Sequence, residues 1–354
     1  MRKLQNTLYV TTPDAYLSLD GENIVLLQDQ SELGRIPLHN LEGIVCFGYK
    51  GVSPALMGAC AEKGIGLCFL TQHGRFLARI AGPVSGNVLL RETQYARAAD
   101  EIQSLTIAKS FLLGKIYNGR WCLERVKRDH PMRIDQDKIN AAVSQMCGSL
   151  TNLENAKNRS ELMGIEGIAA KAYFGVFSQM ILRNESVFVF DGRTRRPPLD
   201  PVNAMLSFAY TLLGNEIAGA LETVGLDPAV GYLHTMRPGR ASLALDLLEE
   251  LRAPLADRFV VTQINLGIFT EKDFQKKENG AVFMTDDARK AFLSAWQKRK
   301  QETLTHPYLK ERVQWGMVAF SQAMLLSRYL RGDLDAYPPF LWKWGDGFAR
   351  TDNL

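Results

Sequence analysis

Between Gly231 and Glu250 the chain places one histidine, His234, a short basic loop with Arg237 and Arg240, and three carboxylates, Asp246, Glu249 and Glu250. An imidazole and several carboxylates can hold a hard divalent cation, and a guanidinium fork matches the oxygens of a phosphate. Together these residue types suit metal-assisted chemistry on a phosphodiester. The apolar residues of Ser242–Leu251 fit one helix face, and spacings of three and four bring Asp246 close to both glutamates. Carboxylates that close repel each other unless a cation or a proton lies between them. A solvated helix edge beside arginines gives the same pattern. His234 precedes Asp246 by twelve residues, ahead of a Pro238-Gly239 turn that can fold the loop back towards the helix. A single imidazole is also compatible with a purely structural role. No thiolate is near in sequence, so manganese or magnesium suits the group better than structural zinc. Arg237 and Arg240 read either as phosphate ligands or as surface ion-pairing residues.

A second element surrounds Glu166. Gly164, Gly167, Ala169, Ala170 and Ala172 crowd around it, so a ligand or another backbone can approach closely, and Glu166 is the one acid on an apolar run. Such a glutamate needs a partner, either a metal or a salt bridge to Arg159 or Lys171. A third element is the loop from Asp191 to Asp200, where Arg193, Arg195 and Arg196 precede a proline-rich turn. It reads as a phosphate-contacting loop or as a charged connector, followed by a helix capped by Asp200 with Pro201 at its first position.

These residues must be held by the elements around them. Short runs rich in β-branched and aromatic residues (8–10, 16–19, 24–27, 35–38, 43–47, 66–70 and 75–80) predict strands, with Asp20–Asn23 as a tight turn. One helix is expected over 53–63, capped by Ser53 with Pro54 behind it and ended by Gly64. The segment from Ala81 to Asn87, with two glycines and a proline, marks a linker. Beyond it the apolar spacing turns helical over 89–128, 133–148, 151–157, 161–182, 200–222, 241–267, 285–302 and 306–331, with a small hairpin at Asn279-Gly280. The expected class is α+β: a β-sandwich-like domain over 1–81, a linker over 82–90, and a larger all-α domain over 91–354. The aromatic tail from Pro338 to Trp344 either packs on the body or meets a partner.

Composition excludes several classes. At 354 residues, 46% hydrophobic and 23% charged, the chain is neither disordered nor fibrous. No apolar run reaches the length of a membrane span and no secretory signal follows the basic pair at the amino terminus, so a cytoplasmic protein without a membrane partner is the expectation. Five cysteines without a CxxC pair read as reduced packing residues. The net charge of +4 is mild; seven basic and seven acidic residues cancel in the first ninety positions, so the excess lies with the proposed site.

Three blocks together carry a resemblance: Leu162-Met-Gly-Ile-Glu-Gly-Ile-Ala-Ala-Lys171, Arg196-Pro-Pro-Leu-Asp-Pro-Val-Asn203, and His234 through Arg237-Pro-Gly-Arg240 to Arg252. They closely resemble the CRISPR-associated adaptation integrase, the first-numbered Cas protein, with the flavour of subtype I-C. The likeness runs end to end and includes the segment from Gly82 to Arg91. It implies an N-terminal β-domain that dimerises, a helical catalytic domain, and a divalent metal, Mg2+ or Mn2+, held by Glu166, His234 and Asp246 as catalytic residues. Glu249 is the matching acid one turn later, where many relatives carry aspartate, and Glu250 is the less favoured alternative. Lys171, Arg195, Arg196, Arg237 and Arg240 are implied DNA-backbone contacts. The implied function is insertion of prespacer DNA into the CRISPR array by attack of its 3′-hydroxyl at the leader-repeat boundary. The implied partners are double-stranded DNA, a second copy of the chain and the second-numbered Cas protein, and the I-C flavour makes a further adaptation nuclease plausible. The rival readings are a nuclease that only hydrolyses DNA and a non-catalytic DNA-binding scaffold.

Overall fold

The computed structural model describes residues 6–12, 14–29, 31–72, 76–80, 82, 88–183 and 186–343. It divides into two compact units, Met1–Gly86 with Met284–Gln301, and Asn87–Phe283 with Glu302–Leu354. The chain is a mixed α+β protein with a strand-rich N-terminal region and a helical C-terminal region. Most of the expected linker, Ala81 and 83–87, lies outside the described residues.

In the first unit, β1 (Asn6–Val10), β5 (Leu41–Phe47), β6 (Gly66–Leu70) and β7 (Phe76–Ile80) form a mixed sheet in that order, parallel except for the last pair. A second, antiparallel sheet contains β2 (Tyr16–Asp20), β3 (Asn23–Gln28) and β4 (Ser31–Pro37). Asp20 pairs with Asn23 across Gly21, whose φ of 58° closes the expected turn. Helix α1 (Pro54–Lys63) starts where Ser53 Oγ accepts the Leu56 amide at 3.2 Å and stops at Gly64 in the left-handed conformation. Leu17 and Ile24 of one sheet, Ile44 and Leu67 of the other, and Leu56 and Cys60 of α1 share one buried core. The helix of Asp286–Gln301 groups with this unit. A single boundary at 82–90 had placed it in the second unit, because its helical spacing carries no sign of which core it covers.

The second unit contains α2 (Val88–Ala99), α3 (Glu101–Asp129), α4 (Gln136–Asn155), α5 (Arg159–Gly175), α6 (Pro201–Thr223), α7 (Ser242–Leu251) and α8 (Arg258–Asn265). With Asp286–Gln301 counted as α9, the last helix is α10 (Trp315–Leu330). The periodic stretch from Leu89 breaks once, because the Asp100 carboxylate accepts the Gln103 amide at 2.9 Å and starts α3. The expected helix over 241–267 is also interrupted: Pro254 has no N–H to continue the ladder, and Arg252–Asp257 widen into a π turn between α7 and α8. The expected helix over 306–331 begins only at Trp315. Before it, strand Thr303–Thr305 pairs with strand Arg312–Gln314, and His306 Nδ1 accepts the amides of Tyr308 and Leu309, both at 3.3 Å, to close the loop. The Asn279-Gly280 hairpin forms as expected, with Gly280 at φ 81°.

The aromatic tail packs on the body. Phe340 is fully buried, and its amide donates to Glu250 Oε2 at 2.7 Å. Asn118 of α3 donates to the carbonyls of Phe340 (2.6 Å) and Glu250 (2.8 Å) and accepts the Trp342 amide at 2.9 Å. One side chain therefore ties α3, α7 and the tail together. Phe340→Ala is expected to lower stability by about 3–5 kcal/mol through the lost burial and the cavity left behind, read as the shift of a denaturant midpoint at unchanged slope.

Candidate functional site

Asp246 lies on α7 with no exposed surface. Its Oδ2 accepts the amides of Tyr232 (2.6 Å) and Leu233 (3.0 Å), and its Oδ1 accepts the amide of His234 (2.8 Å) and meets His234 Nδ1 at 2.7 Å. A carboxylate can only accept, so Nδ1 carries the proton and Nε2 is left as the free ring nitrogen. The loop can approach this closely because residue 231 is glycine. A Cβ there would stand 2.7 Å from Asp246 Oδ2 and 2.8 Å from two atoms of Ser242. The same loop is clamped from outside: Gln94 donates to the carbonyls of Asp227 (2.8 Å) and Val230 (3.0 Å), and Arg159 donates to the Tyr232 carbonyl at 2.8 Å.

One turn along α7, Glu249 faces the opposite side of the imidazole. Its Oε1 stands 3.9 Å from His234 Nε2 and 3.1 Å from Arg252 Nη1. Its Oε2 is buried and paired with Lys115 Nζ at 2.8 Å. Lys115 also donates to Glu166 Oε1, so a single ammonium bridges the two carboxylates. Burial pushes the Glu249 carboxyl up, yet the nearby cations Arg252 and Lys115 overcome that and hold it down at about 2. Glu166 is paired with neither Arg159 nor Lys171, the two cations suggested by proximity in sequence.

Glu250, the very next residue, points the other way. It accepts Tyr337 Oη at 2.7 Å, Gln322 Nε2 at 2.9 Å and the Phe340 amide, and its stem packs so tightly on α3 that a Cβ at Gly114 would lie 2.8 Å from its Cγ. Burial pushes its carboxyl up to about 8, against the three hydrogen bonds that favour the charged form. It belongs to the attachment of the tail and not to the cluster at Glu249.

The structure therefore joins Glu166 and Glu249 through Lys115, sets His234 Nε2 3.9 Å from Glu249, and places Asp246 on the far side of His234. Both oxygens of Asp246, expected as a metal ligand, are engaged by four donors of the Tyr232–His234 segment. Among the described residues no three carboxylate, imidazole or thiol groups form a ready metal cage. The donor set nevertheless fits a divalent ion, since two carboxylates and an imidazole nitrogen suit Mg2+ or Mn2+. Glu249 is buried with its oxygens turned to cations, and a cation already stands between the two acids.

Of the expected phosphate contacts, Lys171, Arg195, Arg196 and Arg237 are exposed and Arg240 is half-buried, with none in an ion pair among the described residues. Arg193 turns inward instead, donating to Asn203 Oδ1 at 2.6 Å and Ser207 Oγ at 3.0 Å, which fixes the loop that displays Arg195 and Arg196. Sequence reasoning missed Lys115 and Arg252. Lys115 lies four residues from Phe111 and four from Gly119, both buried, so a lysine on the inward stripe of α3 was the available signal. Beside the cluster lies a small pocket of about 30 Å³, lined by Lys115, Glu249, Arg252, Tyr173, Met146 and Asp257 among others.

The family model described as CRISPR associated protein Cas1 matches residues 8–298. A "CRISPR-associated endonuclease Cas1 1" of Chlorobaculum tepidum is 51% identical over 97% of this chain and 100% of its own length. Among solved structures, a casposase bound to its integration product aligns with TM-score 0.83 at 24% identity, covering 99% of this chain and 96% of the other. A chain of a Cas6-RT-Cas1–Cas2 complex aligns with TM-score 0.80 at 22% identity, covering 97% of this chain and 37% of that one. Both structural likenesses show the fold, and the identity over nearly the full length, with the family match, shows the kinship: the chain belongs to the Cas1 family of CRISPR-associated proteins.

Proposed function

We propose that this chain is the metal-dependent endonuclease and integrase of CRISPR adaptation, and that Glu166, His234 and Glu249 form its metal centre. The observation that carries the site is the pair of acids from different helices, α5 and α7, drawn to one cation with the free nitrogen of His234 facing one of them. The reaction is a transesterification. A prespacer 3′-hydroxyl attacks a phosphodiester of the array, one phosphodiester forms, one breaks, and the target strand leaves with a free 3′-hydroxyl. Bond count is conserved, so no nucleotide cofactor is needed. A bound Mg2+ or Mn2+ supplies polarisation of the scissile phosphate and offsets the charge that builds on its oxygens.

The remaining residues of the chain then have definable tasks. Asp246 fixes the tautomer and orientation of His234, as an outer partner does for a ligating imidazole. Arg252 keeps Glu249 ionised. Lys171, Arg195, Arg196, Arg237 and Arg240 hold the DNA backbone, giving salt-sensitive affinity that depends little on sequence. The finer assignments follow the family: subtype I-C character, a β-sandwich-like dimerisation domain over 1–81, a linker over 82–90 and a catalytic region over 91–354. The partners are double-stranded prespacer and leader-repeat DNA, a second copy of the chain, Cas2 and the adaptation nuclease, in the cytoplasm. The Cas2 assignment is supported by the Cas1–Cas2 complex among the structural neighbours.

A strand-transfer assay with a 3′-hydroxyl donor, a supercoiled array target and Mn2+ tests the reading. Glu166→Ala, His234→Ala and Glu249→Ala are each expected to lower joined product by about a hundredfold or more, as removal of a group stabilising transition-state charge does. Hydrolysis without joined product overturns the integrase, and unchanged activity in all three variants supports the scaffold reading. Asp246→Asn sets an amide N–H₂ against backbone donors and loosens His234, so Mn2+ affinity is expected to fall about 10–100-fold by titration calorimetry. In filter binding, Arg237→Ala is expected to reduce the salt slope of DNA affinity by about 1 without changing its sequence preference.

A further inference from the structure

We propose that Lys115 is a tethered cation that holds Glu166 and Glu249 together in the metal-free protein and is displaced when a divalent ion binds, so that the ammonium sets the metal affinity of the site. This rests on the assignment of those acids to the metal centre.

Three observations carry it. First, among the described residues Lys115 is the one cation paired with both carboxylates: it donates to Glu166 Oε1 and lies 2.8 Å from Glu249 Oε2, whereas Arg252 is paired there with Glu249. Second, the contact is sheltered, with side chains 16% exposed for Lys115, 21% for Glu166 and 3% for Glu249. Two acids in such a place repel strongly if no cation separates them, so the ammonium does in the metal-free state what a divalent ion does in the loaded one. Third, the backbone at Lys115 is fixed while its side chain has room. Gly114 packs against Glu250, and Asn118, three residues on, is bonded to α7 and the tail. The pocket beside the cluster is lined by Lys115, Met146, Ala169, Ala170 and Phe174, with the Asp257 carboxyl among its polar groups. The aliphatic stem of Lys115 borders those apolar walls, so displacement is a rotation of the lysine side chain and not a movement of α3.

The consequence is competition. An ion entering the site must break two ion pairs, so the site binds metal more weakly than the same acids would without the lysine. Mn2+ titration calorimetry and thermal melts on full-length wild type, Lys115→Met, Lys115→Gln and Glu249→Ala test this. Lys115→Met is expected to bind Mn2+ about tenfold more tightly, as loss of one favourable charge contact worth about 1.4 kcal/mol dictates. Its metal-free melting temperature is expected to fall and to return to the wild-type value at saturating Mn2+. Lys115→Gln, which keeps a polar head, is expected to move in the same direction and carries the test if the methionine variant does not fold. Affinity in both variants that is unchanged or weaker, or a melting deficit that persists at saturating Mn2+, overturns the inference while leaving the metal centre standing. Absence of Mn2+ binding in wild type, or binding unaffected by Glu249→Ala, overturns the metal centre and this inference with it.

Discussion

The site depends on what one buried carboxylate does to the chain around it. Asp246 gathers three consecutive amides, from Tyr232, Leu233 and His234, together with the His234 ring. A buried acid without such donors would be strongly disfavoured as an anion, and three buried amides without an acceptor would be costly too, so each group requires the other. The arrangement converts a loop, which would otherwise sample many conformations, into a fixed mount for an imidazole. Gly231 allows the approach, and Gln94, Ser104 and Arg159 hold the loop from its far side. What reaches the cluster is a single oriented nitrogen.

Helix α7 separates two environments with adjacent residues. Glu249 faces Lys115, Arg252 and His234 and is held at about 2; Glu250 faces Tyr337, Gln322 and the Phe340 amide and is raised to about 8. Both are buried, so desolvation is common to the two and cannot separate them. The difference is full charges on one side against neutral dipoles on the other. Oppositely displaced carboxyls mark division of labour: Glu249 is an anion offered to cations, and Glu250 is a polar anchor that joins the tail to the back of the same helix. The tail thereby fixes the azimuth at which α7 presents Glu249, since rotating the helix to turn Glu249 away would pull Glu250 out of three hydrogen bonds.

Much of this was legible in local sequence. Ser53, Gly64, Gly21, Asp200 and the Asn279-Gly280 turn act within a few residues of themselves, and each does what its residue type dictates. The grouping of Glu166 with His234 and the acids of α7 came from the family resemblance carried by the three sequence blocks, which put Asp246 first and Glu249 one turn later. What was not legible depends on contacts across many residues. Which carboxylate of α7 faces His234 Nε2 is decided by a rotation of one residue in three or four, so Asp246 and Glu249 are indistinguishable until the loop is placed. Lys115 precedes Glu166 by fifty-one residues and belongs to another helix; only its position on a buried stripe hinted at a role. The tail and the His306 loop are likewise products of packing, where tertiary bonds override helical spacing.

The charge count around Glu249 gives these contacts a common logic. Two acids, Glu166 and Glu249, face two cations, Lys115 and Arg252, so the metal-free cluster is near neutral and stable when sheltered from water. Arg252 lies largely buried, stacked over the Tyr210 ring at 4.9 Å and bonded to Glu249, and has little freedom to leave. Lys115 has a flexible stem beside a small pocket. A divalent ion that takes the place between the acids therefore turns a neutral cluster into a positive one, with Arg252 retained. A phosphodiester carries one negative charge, and a second develops as the attacking hydroxyl oxygen adds. Loaded in this way, Glu166 and Glu249 with Arg252 would hold a net positive site that favours the second state over the first, which is the condition for lowering a barrier instead of merely binding a substrate.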